Sequence, residues 1–372
     1  MTKPKSPKFF KTTKGKKYPL PVFFPDATQA FIKNIDPVDI KNTHTPGILV
    51  NTYHLRQPSF LQVIEQHQSI GNFMSWSGAI ISDSGGFQVM SLAKKFGGPK
   101  AISDRGVKFK PPNQPTSFFT PQQSIRIQMQ LKTDMVVVLD DFTDPQASYQ
   151  QAKESVRRTI LWAKICKKEF DKICQQQKNL PHQTPYLLAV VQGGKYLDLR
   201  LECTRQLVKI GFDGLGYGGW PLDEEGNFNL EIAQLIANNA PKNYLLYALG
   251  IGKPEDIVAC VKLGWHIFDC VIPTRDARHR RLYTFNTPSI SKIDINQKDF
   301  YSYFVPTKTK HQHNTQPVSQ ACDCHLCQNY SQAYLHHLFK TGDSSAYRLA
   351  TIHNLRFYSI LMEKLQQLKN DT

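Results

Sequence analysis

The chain has 372 residues, with 46 lysines and arginines against 30 acidic residues and a formal charge of +16. That length allows one large domain or two medium ones with ample core, and the charge favours a polyanionic partner, nucleic acid or a membrane face, over an acidic ligand surface. No apolar run of about 18 residues and no signal-peptide core occur, which argues against a membrane-spanning helix and for a reducing, cytoplasmic setting.

The first 17 residues hold seven lysines and no acid. Residues 1–18 are expected to form a basic, disordered tail that attracts phosphate without specificity. Apolar, β-branched runs then recur along the chain: Pro21–Phe24, Ile48–Val50, Ala79–Ile81, Met135–Leu139, Tyr186–Val191, Phe212–Leu215, Leu245–Leu249 and Trp265–Phe268. Most of them end in polar or glycine-rich residues, such as Ser82-Asp83-Ser84-Gly85-Gly86, Asp140-Asp141, Gln192-Gly193-Gly194 and Gly250-Ile251-Gly252. Helical stretches at 148–178, 196–210, 229–239 and 254–263 lie between them. Continuous apolar strands alternating with helices imply a parallel sheet covered on both faces. Eight such strands point to a (β/α)8 barrel, with an open doubly wound sheet as the alternative. In a barrel the site lies at the C-terminal strand ends, here marked by Asp83, Asp140, Gln192, Gly219 and Asp269. No GxGxxG follows a strand, so a dinucleotide cofactor is not indicated. The segment 95–120 reads as an irregular excursion. The polar segment 286–320 reads as a linker between the last strand and a cysteine cluster near the C-terminus. The expected division is therefore a tail at 1–18, a barrel at 19–285, and a metal-binding subdomain with closing helices at 286–372.

That subdomain carries Cys322-x-Cys324-x2-Cys327 and, after 25 intervening residues, His353. Three thiols and one imidazole make a closed tetrahedral Cys3His set, and zinc is its natural occupant. A CxxC redox pair is the alternative, but it lacks a βαβ context and leaves Cys322 without a role. His325, His336 and His337 compete with His353 for the fourth position, and spacing alone does not exclude them. Cys166, Cys174, Cys203 and Cys260 fall on expected helices and read as packing residues.

The strand-end motifs and the metal spacing together resemble the tRNA-guanine transglycosylase (queuine tRNA-ribosyltransferase) family of bacterial and eukaryotic type. The matching segments are Pro21-Val22-Phe23-Phe24-Pro25, Asn51-Thr52-Tyr53-His54-Leu55, Ser82-Asp83-Ser84-Gly85-Gly86-Phe87-Gln88, Val191-Gln192-Gly193-Gly194, Gly250-Ile251-Gly252-Lys253-Pro254, Phe268-Asp269-Cys270-Val271-Ile272-Pro273-Thr274-Arg275, and the cysteine cluster with Ala333-Tyr334-Leu335-His336-His337. They run in family order over about residues 20 to 360.

The resemblance implies a TIM barrel with one structural zinc per chain. It also implies exchange of the wobble guanine of GUN-anticodon tRNA for a 7-deazaguanine, preQ1 or queuine, in a homodimer. By the same resemblance Asp269 is the nucleophile and Asp83 the general acid/base. Asp140 would accept from the N1–H and N2 amine of the base, and Gln192 and the Gly219 N–H would donate toward O6. Phe87 and Leu249 would sandwich the ring, and Lys253, Arg275 and Arg278 would meet the RNA. The chemistry suits these residue types. Base exchange with retention needs a carboxylate to hold ribose C1′ and a second carboxyl group to manage the proton.

The chain also departs from the family pattern. Trp220-Pro221-Leu222-Asp223-Glu224 follows Gly218-Gly219, Phe142 follows the acid pair, and His279 and Arg280 break the usual arginine motif. Bulkier walls at Trp220 and Phe142 would alter base preference. Two other readings are a non-catalytic RNA-binding partner subunit, against which Asp83, Asp140 and Asp269 argue, and a transglycosylase acting on DNA.

Overall fold

The computed structural model describes residues 6–111, 115–177, 183–223 and 225–370. Eight parallel strands form one sheet: β1 (Val22–Pro25), β2 (Gly47–Asn51), β3 (Ala79–Asp83), β4 (Met135–Val137), β5 (Tyr186–Val191), β6 (Gly214–Tyr217), β7 (Leu245–Ala248) and β8 (Ile267–Cys270). Neighbours in sequence are neighbours in space, and β8 pairs with β1 in the register Asp269–Phe24. An Asp26–Leu49 bridge, with the Ala27 N–H donating to the Leu49 carbonyl at 2.7 Å, brings β1 against β2 and nearly closes the ring. The expected barrel is the observed fold.

Strand periodicity decides what lies inside. Val22 and Phe24, Ala79 and Ile81, Met135 and Val137, Leu188 and Val190, Leu245 and Tyr247, and Ile267 pack as one interior cluster. Side chains alternate with period two. The next residue on the same face of several strands is therefore the one that crowns the barrel: Asp26, Asn51, Asp83, Gln192, Leu249 and Asp269. The apolar filling below this crown supports it and keeps water from its underside.

Helices cover the outside, among them Tyr149–Gln176, Leu197–Ile210, Leu230–Asn239 and Pro254–Lys262. Ser148 caps the first of these in a capping box with Gln151, and residue 178, at the end of the expected stretch, lies outside the described residues. Both catalytic candidates are followed by helices that their sequences do not advertise. Gly86–Gly97 begins after Gly85, which takes φ 80°, and Ile272–Arg278 begins with a proline in its first turn. A left-handed glycine and an N-terminal proline each suit a sharp turn into a helix.

Three segments differ from expectation. Residues 1–5 lie outside the described residues, but beyond them the basic tail is ordered. Phe9–Lys11 pairs with Lys17–Pro19. Phe10 is fully buried and meets Phe24 and Tyr186 with ring centroids 5.5 and 5.4 Å away. The Thr13 N–H and hydroxyl both donate to Asp134 Oδ1 at 2.8 Å. One aromatic anchor thus plugs the N-terminal end of the barrel while Lys8, Lys14, Lys16 and Lys17 stay exposed. The excursion at 95–120 holds a three-stranded antiparallel sheet, Ile102–Ser103, Gly106–Phe109 and Ser117–Phe119, of which residues 112–114 lie outside the described residues. In the expected linker, Tyr301–Phe304 pairs with Leu282–Phe285, so a hairpin spans position 285.

The last helix, Ser344–Asn370, ties the parts together. Asn354 donates to the Pro273 and Arg281 carbonyls, Tyr358 OH to the Gly252 carbonyl, and Arg348 to Asp39. Arg356 pairs with Asp323 and Glu363.

Candidate active site and metal centre

A cavity of about 520 Å³ opens at the C-terminal strand ends. Its lining includes Asp26, Asn51, Asp83, Phe87, Asp140, Gly219, Leu249, Lys253, Asp269 and Arg275. Positions far apart in the sequence thus meet in one place, because the barrel brings every strand end to one rim.

Asp269 is buried at the end of β8. Its Oδ1 accepts from Tyr247 OH at 2.7 Å and from the Gly250 N–H at 3.0 Å. Burial pushes its carboxyl up to about 7, against the pull of those two donors, and the charges of Asp26 and Asp83 add to the rise. Asp83 ends β3 directly opposite Asn51 in register, and Asn51 Nδ2 donates to its Oδ2 at 2.7 Å. Burial lifts Asp83 to about 6. Asp140 lies just beyond β4 and is lifted to about 7, first by burial and then by the charges of Asp83 and Asp141. Three carboxyl groups that titrate near neutrality in one cleft are the signature of acid/base and nucleophilic chemistry.

The two acids of the pair turn different ways. Asp140 faces the cavity, whereas Asp141 turns away, forms an ion pair with Arg158 and accepts the Ser155 hydroxyl on its carbonyl. Gln192 is fully buried beside Asp140; its Nε2 donates to Asp140 Oδ2 at 2.5 Å, and its Oε1 accepts the Thr143 N–H at 3.1 Å. It therefore steadies Asp140. That bond uses one of the two N–H groups of its amide.

Gly219 lines the cavity with φ 79°, and a Cβ there would come within 3.2 Å of both Gln192 Oε1 and Arg200 Nη2. Conformation and space both require glycine at that point. Arg200, on the helix after β5, was not legible as a site residue. It is fully buried and donates to the carbonyls of Val191, Gly194 and Gly218, which clamps the β5 and β6 loops together. Tyr247 was missed too, although its place two residues before Leu249 on an alternating strand puts it beneath the crown. Asp26 was the third omission, and the alternation Val22, Phe24, Asp26 would have found it.

Phe87 is 53% exposed on the cavity wall and packs edge-on against Phe142, with centroids 5.1 Å apart at 75°. Leu249 lines the same cavity. Trp220, Pro221, Leu222 and Phe228 build one end of the cavity, with Trp220 51% exposed; Glu224 lies outside the described residues. At the mouth Lys253 and Arg275 are exposed. Arg278 is partly buried, and burial followed by the Arg275 charge lowers its pKa. Arg281 is engaged internally, paired with Asp276 and stacked over Tyr303.

The metal candidates converge as well. The Sγ atoms of Cys322, Cys324 and Cys327 lie 3.7, 3.4 and 3.3 Å from His353 Nδ1, and all four ligand atoms fall within 4.8 Å of one another. A tetrahedral ion with ordinary zinc–sulfur and zinc–nitrogen bonds sets such atoms about 3.6 Å apart. His353 Nε2 lies 2.7 Å from the Tyr283 carbonyl, which fixes Nδ1 as the ligating atom. The rival imidazoles stand outside the cluster: His336 meets the Pro306 carbonyl at 2.8 Å, His325 meets Asn329, and His337 is exposed. The residues fit a metal, with zinc the compatible ion. Cys166, Cys203 and Cys260 are buried away from it, as packing residues should be.

Among the described residues no helix is long and apolar enough to cross a membrane. Comparison with known proteins agrees with the site. A sequence model described as queuine tRNA-ribosyltransferase matches residues 10–372. Queuine tRNA-ribosyltransferases of Blochmanniella pennsylvanica, Hydrogenovibrio crunogenus and Blochmanniella floridana are 38%, 37% and 36% identical over 93% of this chain, covering 87%, 86% and 85% of their own lengths. With a match over nearly the whole chain, a barrel crowned by carboxylates and a Cys3His cluster in its expected place, this protein belongs to the queuine tRNA-ribosyltransferase family.

Proposed function

We propose that the protein is a tRNA-guanine transglycosylase, a pentosyltransferase that exchanges the wobble guanine of GUN-anticodon tRNA for a 7-deazaguanine. The observation that carries this reading is the joint placement of Asp83, Asp140 and Asp269 on one cavity rimmed by Lys253 and Arg275.

In our reading the exchange runs through two displacements at C1′. The cations at the mouth draw in the anticodon phosphates. The target guanine leaves its stack and enters between Phe87 and Leu249, an arrangement that tolerates a flipped base. Asp140, ionised and steadied by Gln192, accepts the N1–H and N2 amine, and the Gly219 N–H is placed for O6. Tyr247 and Gly250 hold Asp269 Oδ1, so Oδ2 attacks C1′. The C1′–N9 bond breaks, guanine departs with a proton from Asp83, and the ribose is held as an ester of Asp269. The incoming 7-deazaguanine gives its N9 proton to Asp83, attacks C1′ and releases the carboxylate. Two inversions give net retention, and no phosphodiester bond breaks.

The barrel at 19–285 carries this chemistry, and residues 286–372 carry the metal and closing helices. In our reading zinc at Cys322, Cys324, Cys327 and His353 is a structural ion, since four protein ligands leave no position for substrate. It anchors the helix whose Tyr358 and Asn354 brace the loops at Gly252 and Pro273. The bulky walls at Phe142 and Trp220 favour a base other than plain preQ1. A homodimer is the proposed assembly, and the stacked pair Tyr330–Tyr334 beside the knuckle, with Tyr334 exposed, supports a contact there. The work on tRNA assigns the protein to the cytoplasm.

The test is exchange of labelled guanine into tRNA and into duplex DNA side by side, then chase with guanine, preQ1 and queuine in parallel. Incorporation into tRNA alone supports the reading; incorporation into neither overturns it. Sedimentation velocity tests the dimer.

A further inference from the structure

The mechanism leaves two cavity carboxylates without work, Asp26 and Asp256. Asp26 follows β1, lines the same cavity as the three reactive acids, and lies on the barrel-interior face by the alternation of Val22 and Phe24. The Thr28 hydroxyl donates to its Oδ1 at 2.5 Å, which holds the carboxylate in place. Its charge is felt by Asp83 and Asp269, and by Arg278 and His54.

Strand order locates it relative to a bound nucleotide. The groups assigned to the base edge come from β4, β5 and β6, through Asp140, Gln192 and Gly219. The group assigned to C1′ comes from β8. Around the barrel β8 is followed by β1 and then β2, so Asp26 stands between Asp269 and Asn51, away from the base-edge strands. With the base toward β4–β6 and C1′ at Asp269, the sugar ring lies over the β8–β1–β2 sector. Asn51 is already engaged there. Its amide donates to Asp83 and Gln88, and its oxygen accepts the Tyr53 N–H. Within an RNA chain the 3′ and 5′ oxygens are esterified, so the sugar offers one hydroxyl donor, the 2′-OH. A carboxylate is acceptor-only when ionised, and a hydroxyl bonded to a charged acceptor is among the stronger neutral-to-ion hydrogen bonds.

We propose that Asp26 accepts the 2′-hydroxyl of the exchanged nucleotide and is thereby a specificity residue that selects ribose over deoxyribose at that position. The inference rests on the transglycosylase reading and deepens it: base identity is read from one side of the barrel and sugar identity from the other. The 2′-OH is also the mark by which a protein separates RNA from DNA at a given nucleotide. A site built to bond a substrate hydroxyl discriminates strongly against its absence.

The experiment uses the full-length protein at pH 8 and two synthetic anticodon stem–loops. They differ in a single atom, with guanosine or 2′-deoxyguanosine at the exchanged position. Wild type is expected to favour the ribose substrate in kcat/KM by about 10- to 100-fold, the loss expected for one hydrogen bond to a charged group. Asp26→Ala should lower kcat/KM on the ribose substrate and leave the deoxyribose substrate nearly unchanged, so the ratio falls toward one. Asp26→Asn, isosteric and still an acceptor, should fall between and guards against a folding defect in the alanine variant. An equal loss on both substrates, a preserved ratio in both variants, or a wild type indifferent to the hydroxyl would each overturn the proposal. A wild type that exchanges guanine into neither stem–loop would overturn the transglycosylase reading itself, and the inference with it.

Discussion

The barrel mouth and the metal knuckle both gather reactive side chains, but they do so under opposite terms. At the mouth, Asp83, Asp140 and Asp269 are lifted to about 6, 7 and 7 because burial removes water and like charges crowd one another. The fold holds them away from their preferred states. At the knuckle, Cys322, Cys324, Cys327 and His353 are arranged so that one cation satisfies all four, with His353 locked by the Tyr283 carbonyl. Tension at the first site makes its groups ready to exchange protons and bonds. The four ligand atoms at the second would close around a bound metal and leave it no open position.

The largest test of that contrast is Asp269→Asn. Exchange of labelled guanine should fall by at least about 10³-fold, since no nucleophile remains, while the fold persists by circular dichroism. Normal exchange would sink the nucleophile assignment. Cys324→Ser probes the other pole. Elemental analysis should show the metal lost, and chemical denaturation should show a destabilisation on the order of 4 kcal/mol. Retained stoichiometric zinc with unchanged stability would erase the distinction between the two sites.

A smaller effect sharpens the mouth. Asp269 and Asp140 must be ionised while Asp83 must hold a proton, so kcat/KM for tRNA should follow a bell with its maximum near pH 6 to 7, falling on the acid side as Asp269 and Asp140 protonate and on the alkaline side as Asp83 ionises. An acid limb near pH 4 would mean that the cleft does not perturb its acids. The smallest effect concerns stability. A carboxyl raised to about 7 in the folded state, against about 4 unfolded, binds its proton more tightly when folded; its ionisation therefore destabilises the fold as pH rises through that window. Replacing it by a neutral amide removes that penalty. Asp269→Asn should melt a few degrees above wild type at pH 8, with the difference shrinking toward pH 4. A lower melting temperature at pH 8 would show that the Tyr247 and Gly250 hydrogen bonds outweigh the burial of charge.

Much of this was legible because it is local. Each barrel strand is a short β-branched run whose apolar character follows from burial on both sides, and Cys322 to Cys327 carry their spacing within six residues. Less legible were features set by distant partners. The lysine-rich start hides Phe10, whose pocket is made by Phe24 and Tyr186. Gln192 also meets Asp140, more than fifty residues earlier, a contact that its own neighbourhood in the chain does not announce. Arg200 gives no signal at all, since an arginine on a helix is ordinarily solvated. Asp26 was within reach by strand alternation, had the pattern been followed one residue past the apolar run.

The sequence by itself determined the periodicities and local clusters: eight buried strands, their connecting helices, the three metal thiols and the acids at strand ends. These depend on neighbours a few residues apart, and the hydrophobic effect makes them readable. The tertiary structure alone decided which acids share a cavity, which donors are spent within the protein, and which side of the barrel is left for the sugar. Those outcomes depend on closure of β8 onto β1 and β2, which sets residues from opposite ends of the chain side by side and determines how much water each carboxylate keeps.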